Sequence, residues 1–187
     1  EARELCEKAI QKGVDVIAFT DHCDVFDGRF GHAQYFACDK TCEQEMFKLK
    51  EKYRGRLNVL YALELGQPHH QPEIAYQALS HPFDMVLGSV HILPDGRDIY
   101  FIDYKDDDMV EEMFGIYFDE MKKLIDFGNF DVLAHLDYPL RMLSKRFSKP
   151  TIEKYKSEVA DILKMASDKN LALEIITRGL IDWQKRV

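Results

Sequence analysis

Apolar residues recur along this chain in two alternating rhythms, one helical and one strand-like. Leu5, Cys6, Ala9 and Ile10 keep a helical spacing across Arg3–Lys12, and Gly13 supplies a stop. Val14–Phe19, rich in β-branched residues, predicts a strand. Cys42–Tyr53 predicts a helix with Met46, Phe47 and Leu49 facing inward. Leu57–Leu65 predicts a second strand ended by Gly66, Pro72–Leu79 a short helix, and Phe83–Val90 a third strand. The longest periodic stretch is Met109–Phe127, with an apolar stripe of Met109, Met113, Ile116, Tyr117, Met121 and Leu124. Phe130–Ala134 predicts a fourth strand. Pro150–Ala166, opened by proline with Thr151 nearby, predicts a helix, and Leu171–Ile176 a fifth strand.

Strand–helix alternation favours an α/β fold of parallel strands covered by helices. About five such units are visible, each roughly 30–40 residues long. An eight-unit barrel needs about 250 residues. A chain of 187 residues is therefore a partial barrel or a smaller open sheet, in one domain. No linker, low-complexity tract or solenoid period interrupts it.

Composition narrows the partners. The net charge of −8 counts against a general nucleic-acid binder, which needs clustered Lys and Arg. No apolar run approaches the roughly 20 residues that span a bilayer, so no membrane partner is expected. No signal-peptide pattern opens the chain. Glu1 begins in mid-helix, so the natural N-terminus is expected upstream. The cysteines, at 6, 23, 38 and 42, form no disulfide framework and read as reduced thiols of a cytoplasmic protein. Cys38 and Cys42, with Cys23 or His32, have a spacing that zinc permits, but no second cysteine pair supports it. The acidic run Asp106-Asp107-Asp108, followed by Glu111 and Glu112, is explained by the positive end of the helix it opens.

Chemistry in parallel α/β proteins gathers at the C-terminal ends of strands. There the chain places Thr20-Asp21-His22, Glu64, His91, His135 with Asp137, and Glu174 with Thr177-Arg178. Glu64 stands out, because it interrupts an apolar strand where an unpaired carboxylate is costly. Three histidines and two or more carboxylates on one rim suit divalent zinc, manganese or iron. His69 and His70 follow the second strand in a loop, within reach of a substrate. His81 precedes the third strand, at the opposite end, and reads as structural.

These residues resemble the motifs of the PHP family of metal-dependent phosphoesterases. Ala18-Phe19-Thr20-Asp21-His22 is similar to its Thr-Asp-His strand end, and Leu63-Glu64-Leu65-Gly66 to the strand bearing its bridging glutamate. Val86-Leu87-Gly88-Ser89-Val90-His91 resembles its Gly-Ser-x-His strand, and Asp131-Val132-Leu133-Ala134-His135-Leu136 its next histidine strand. Within the family, Glu64–Pro68 and His135–Arg141 are most similar to histidinol-phosphate phosphatases. The resemblance implies a distorted seven-stranded TIM-like βα barrel holding up to three metal ions. It implies His22, Glu64, His91 and His135 as metal ligands, with Glu64 bridging. It also implies Asp21, Glu64 and His91 as the catalytic set, Asp21 acting beside His22. The family's first His-x-His motif and last Asp-x-His motif are not found. The resemblance therefore places them before Glu1 and after Val187, with residues 1–187 forming a single, incomplete domain.

The reaction so implied is metal-dependent hydrolysis of a phosphomonoester, L-histidinol phosphate giving L-histidinol and phosphate in histidine biosynthesis. One departure bears on the phosphate grip. Related phosphatases carry Glu-Ile-Asn-Thr-Ser-Gly-Leu-Arg where this chain has Glu174-Ile175-Ile176-Thr177-Arg178-Gly179-Leu180-Ile181. The substrate-binding cations are then Arg178 and Arg141, since guanidinium groups suit bidentate phosphate binding. Two other readings stay open: a PHP phosphoesterase acting on another phosphoester or nucleotide, and a degenerate, non-catalytic module.

Overall fold

A computed structural model describes residues 1–25, 40–141, 143 and 153–176. Its core is one parallel sheet of five strands: β1 Val16–Asp24, β2 Asn58–Gly66, β3 Met85–Ser89, β4 Val132–Leu133 and β5 Ala172–Leu173. All neighbouring pairs are parallel, in the spatial order β1-β2-β3-β4-β5. Strand order that follows chain order is the winding of a βα barrel wall; a doubly wound sheet reverses at its middle. The helices between strands are α1 Ala2–Gln11, α2 Lys40–Tyr53, α3 Pro72–Ala78, α4 Asp107–Phe127 and α5 Lys156–Asp168.

The elements follow from local chemistry. Asp106 caps α4, its Oδ1 accepting from the Met109 amide at 2.9 Å, so the acidic run does serve the helix start. Gly128, at φ 64°, ends that helix. One side of the sheet packs Leu63, Leu65, Val86 and Val90 against Met113, Tyr117, Met121 and Leu124 of α4. A second cluster joins Cys6 and Ala9 of α1, Met46, Leu49 and Tyr53 of α2, and Val59 and Tyr61 of β2.

Three expectations shift. Strand β1 begins at Val16 and runs on to Asp24, past the expected end at Phe19. The pairing partner explains it: β2 offers a full-length ladder, with Asp24 opposite Gly66, and this holds the polar tail extended. Phe47 does not face inward but is 40% exposed. At 100° per residue, Met46, Leu49 and Tyr53 share a face from which Phe47 is displaced. The last two strands are shorter ladders than expected. Backbone bonds from Ala134 to Gly88 and from Glu174 to Leu133 nevertheless carry their pairing onward. Helix α5 is described from Lys156; its expected opening at Pro150 and Thr151 lies outside the described residues.

Candidate metal centre

The C-terminal ends of β1 to β4 bring four of the expected residues together. His22 and Glu64 are register partners on adjacent strands. His91 follows β3 by two residues and His135 follows β4 by two. Glu64, His91 and His135 are all buried, whereas the His22 side chain is 55% exposed.

Glu64 divides its two oxygens between two groups of imidazoles. Its Oε1 lies 2.8 Å from His135 Nε2 and 3.1 Å from His91 Nε2. Its Oε2 faces His22 Nε2 at 3.5 Å. The Nε2 atoms of His91 and His135 are themselves 3.2 Å apart. Two imidazole nitrogens facing each other across a carboxylate oxygen need a proton or a cation between them. Glu64, His91 and His135 thus form one group able to hold a cation, and His22, Asp24 and His91 form another. The donor set, imidazole nitrogen plus carboxylate oxygen, fits zinc, manganese or iron.

Asp24 is the residue that the strand pattern alone did not mark. It lies two residues beyond His22 and so on the same face of β1. Its Oδ1 is 2.9 Å from His91 Nδ1 and accepts from Gln67 Nε2 at 3.0 Å. A carboxylate on the far nitrogen of a ligating histidine fixes its tautomer and raises its basicity. The signal is the strand alternation itself, which places Asp24 with His22 when β1 extends to Asp24. Asp21 falls on the opposite face of the strand and is exposed.

Gln67 is the hub beneath this arrangement. It is fully buried in a left-handed conformation (φ 37°). Its Oε1 accepts from the amides of His91 and Ile92 at 2.9 and 3.1 Å. Its own amide donates to Ser89 O at 2.7 Å. From the other side, the His135 amide donates to Glu174 Oε2 at 2.9 Å. The Tyr117 hydroxyl donates to His135 O at 3.2 Å. The Tyr138 ring stands 4.9 Å from His135 and 5.3 Å from His91.

Charge is distributed accordingly. Burial opposes ionisation of Glu64, but hydrogen bonds from His135 and His91 outweigh it and hold the carboxyl well below its ordinary range. Burial likewise opposes a charged His91, yet Asp24 and Glu64 push its pKa up to about 9. Burial pushes the Tyr138 phenol up to about 12. These are properties of the metal-free site.

Arg141 ends the short turn Tyr138–Arg141. Its Nη2 lies 3.5 Å from Asp137 Oδ1, and its guanidinium carbon sits 5.6 Å from the Tyr138 ring centre. Its Nε is buried without a partner among the described residues. Arg178 lies outside the described residues, as do His32 and Cys38. His69 and His70 do not join the rim cluster; both contact Glu120 of α4. His81 sits near Glu43 at 3.3 Å.

The family model described as PHP domain matches residues 1–178. A Clostridium acetobutylicum protein described as "Probable histidinol-phosphatase" is 31% identical over 172 residues, which is 88% of this chain and 62% of that protein. A Lactococcus lactis histidinol-phosphatase is 26% identical over 186 residues, covering 94% of this chain and 65% of that one. The chain therefore spans somewhat less than two thirds of the length of these relatives. The crystal structure of the Lactococcus lactis histidinol phosphate phosphatase, complexed with zinc, L-histidinol and phosphate, aligns with a TM-score of 0.76 at 24% identity. It covers 94% of this chain and 66% of that one. A second solved structure, from Listeria monocytogenes, aligns at 0.70 and 16% identity over 92% of this chain and 75% of that one. At those identities the two structures establish the fold, a distorted TIM-like barrel.

Proposed function

Because the chain belongs to the PHP family, we propose that it serves metal-dependent hydrolysis of a phosphomonoester, with L-histidinol phosphate as substrate. The observation that carries this reading is the division of Glu64, with Oε1 toward His91 and His135 and Oε2 toward His22. That is the arrangement of a carboxylate that bridges two cations. Both curated relatives are described as histidinol-phosphatases, which supports the substrate.

In this reading His22, Glu64, His91 and His135 hold the metal. When bound, divalent metal supplies Lewis acidity toward the phosphoryl oxygens and a water acidic enough to attack at neutral pH. Asp24 orients His91 through Nδ1 and takes the place beside His22 that the resemblance assigned to Asp21. Gln67 fixes Asp24 and the His91 backbone together, and Glu174 fixes the His135 backbone. Arg141 offers a phosphoryl oxygen an Nε–H that is buried without a partner among the described residues, where a guanidinium neutralises developing charge. Tyr138 stays protonated and packs against the two imidazoles. Residues 1–187 act as part of one domain, in a cytoplasmic setting. Among the described residues no helix is long and apolar enough to cross a membrane.

The test is phosphate release from L-histidinol phosphate by the zinc- or manganese-loaded protein, beside nucleotides and simple phosphomonoesters. Preference for histidinol phosphate by at least about tenfold in kcat/KM, roughly 1.4 kcal/mol of discrimination, supports the reading. Preference for another phosphoester overturns the substrate. Full metal occupancy without turnover of any of them makes the chain a binding module.

A further inference from the structure

His69, His70 and Glu120 lie apart from the rim cluster, and the proposed reaction uses none of them. The two histidines sit in the three-residue turn Pro68–His70, directly after Gln67. Consecutive residues in a tight turn ordinarily point their side chains apart. Here the rings meet edge to face with centroids 4.6 Å apart. Both Nε2 atoms converge on one oxygen, Glu120 Oε2, at 2.7 and 2.5 Å. Glu120 projects inward from the middle of α4 with only 1% of its side chain exposed, and the histidine side chains are 10% and 12% exposed.

The other carboxylate oxygen has a different partner. Lys123 Nζ donates to Glu120 Oε1 at 2.6 Å. One oxygen is thus turned to two imidazole nitrogens while the second is held by a hydrogen bond. This is how a monodentate carboxylate ligand is supported around a metal ion.

We propose that His69, His70 and Glu120 form a second metal site, of the zinc class, independent of the rim cluster. The three ligand atoms lie within 4.8 Å of one another. Two imidazoles and one carboxylate are a zinc ligand set that leaves a fourth position for water. Tetrahedral bonds of about 2.0–2.1 Å separate ligand atoms by roughly 3.3 Å. The imidazoles therefore need to swing apart by less than an ångström to admit the ion. The bound ion ties α4 to the turn that carries Gln67, and so braces the residue that positions Asp24 and His91.

The experiment counts zinc per chain by native mass spectrometry after loading and removal of excess. His91→Ala, which takes a ligand from both rim groups, should still retain a single equivalent. Adding His70→Ala to that variant should remove it. Cobalt loading of His91→Ala should give the visible absorption of four-coordinate cobalt, and adding His70→Ala should abolish it. Lys123→Met should weaken zinc binding by about 10–100-fold, because it removes the hydrogen bond that holds Glu120. Glu120→Gln in the same background should also lose the ion, and if that variant does not fold, His69→Asn supplies the same loss. A His91→Ala protein that retains no zinc overturns the proposal, as does a count unchanged by adding His70→Ala. Neither result depends on turnover, so failure of the phosphatase reading leaves the count intact.

Discussion

Asp24 Oδ1 lies 2.0 Å from where a Cβ on Gly66 would stand, and Asp24 Cγ lies 2.9 Å from it. The two residues are register partners across β1 and β2. Gly66 is glycine because the carboxylate that holds His91 occupies the space of its side chain. Gly66→Ala should therefore displace Asp24 and mimic its loss. We expect kcat/KM to fall about 10–100-fold in both Gly66→Ala and Asp24→Asn. Gly66→Ala should also lose about 1–3 kcal/mol by overpacking. In Asp24→Ala/Gly66→Ala the clash is gone, and thermal melts should recover most of that loss while activity stays low.

Removing a proposed ligand should cost more than removing its support. Glu64→Ala and His135→Ala should each lose more than about 100-fold in phosphate release, with metal content falling in parallel. Far-UV circular dichroism should stay near that of the parent, since the sheet around them is held by backbone pairing. Near-normal turnover in either variant refutes the ligand assignment.

The metal-free protein should show a pH dependence that the loaded protein lacks. Asp24 and Glu64 raise His91 from its ordinary 6.5 to about 9, against the opposing effect of burial. The folded chain thus holds a proton that the unfolded chain releases. That stabilisation is complete below about pH 6.5 and is lost as pH rises through 9. Glu64 is shifted the other way, so its contribution is present above the ordinary carboxylate range and is lost in acid. With a chelator present, Tm should fall between pH 6.5 and 9.5. At pH 7, calorimetry in buffers of different ionisation enthalpy should show proton release on metal uptake. A flat Tm across that range would sink the protonated-His91 assignment.

Glu174 reaches from the segment after β5 to the His135 amide. Glu174→Ala leaves that buried donor unpaired and should cost about 1–3 kcal/mol in urea unfolding. Glu174→Gln keeps an acceptor oxygen and should cost less than half as much. If both cost the same, the hydrogen bond is not what couples the two segments.

Much of this molecule was legible along the chain. The alternation of strand and helix specified a parallel α/β fold, because strand and helix periodicities are local properties of the sequence. Glu64 announced itself as a carboxylate inside an apolar strand. His22, His91 and His135 did so by following predicted strands. What the sequence could not show was decided by pairing. β1 runs to Asp24 only because β2 offers a partner that far, and this puts Asp24 on the His22 face. The Glu64 oxygens point two ways because four strand ends meet around them. The joining of His69 and His70 to Glu120, about fifty residues away, depends on where α4 packs. Periodicity reports which face a side chain occupies on its own element. Only tertiary contact, over distances that no local pattern encodes, determines what that face meets.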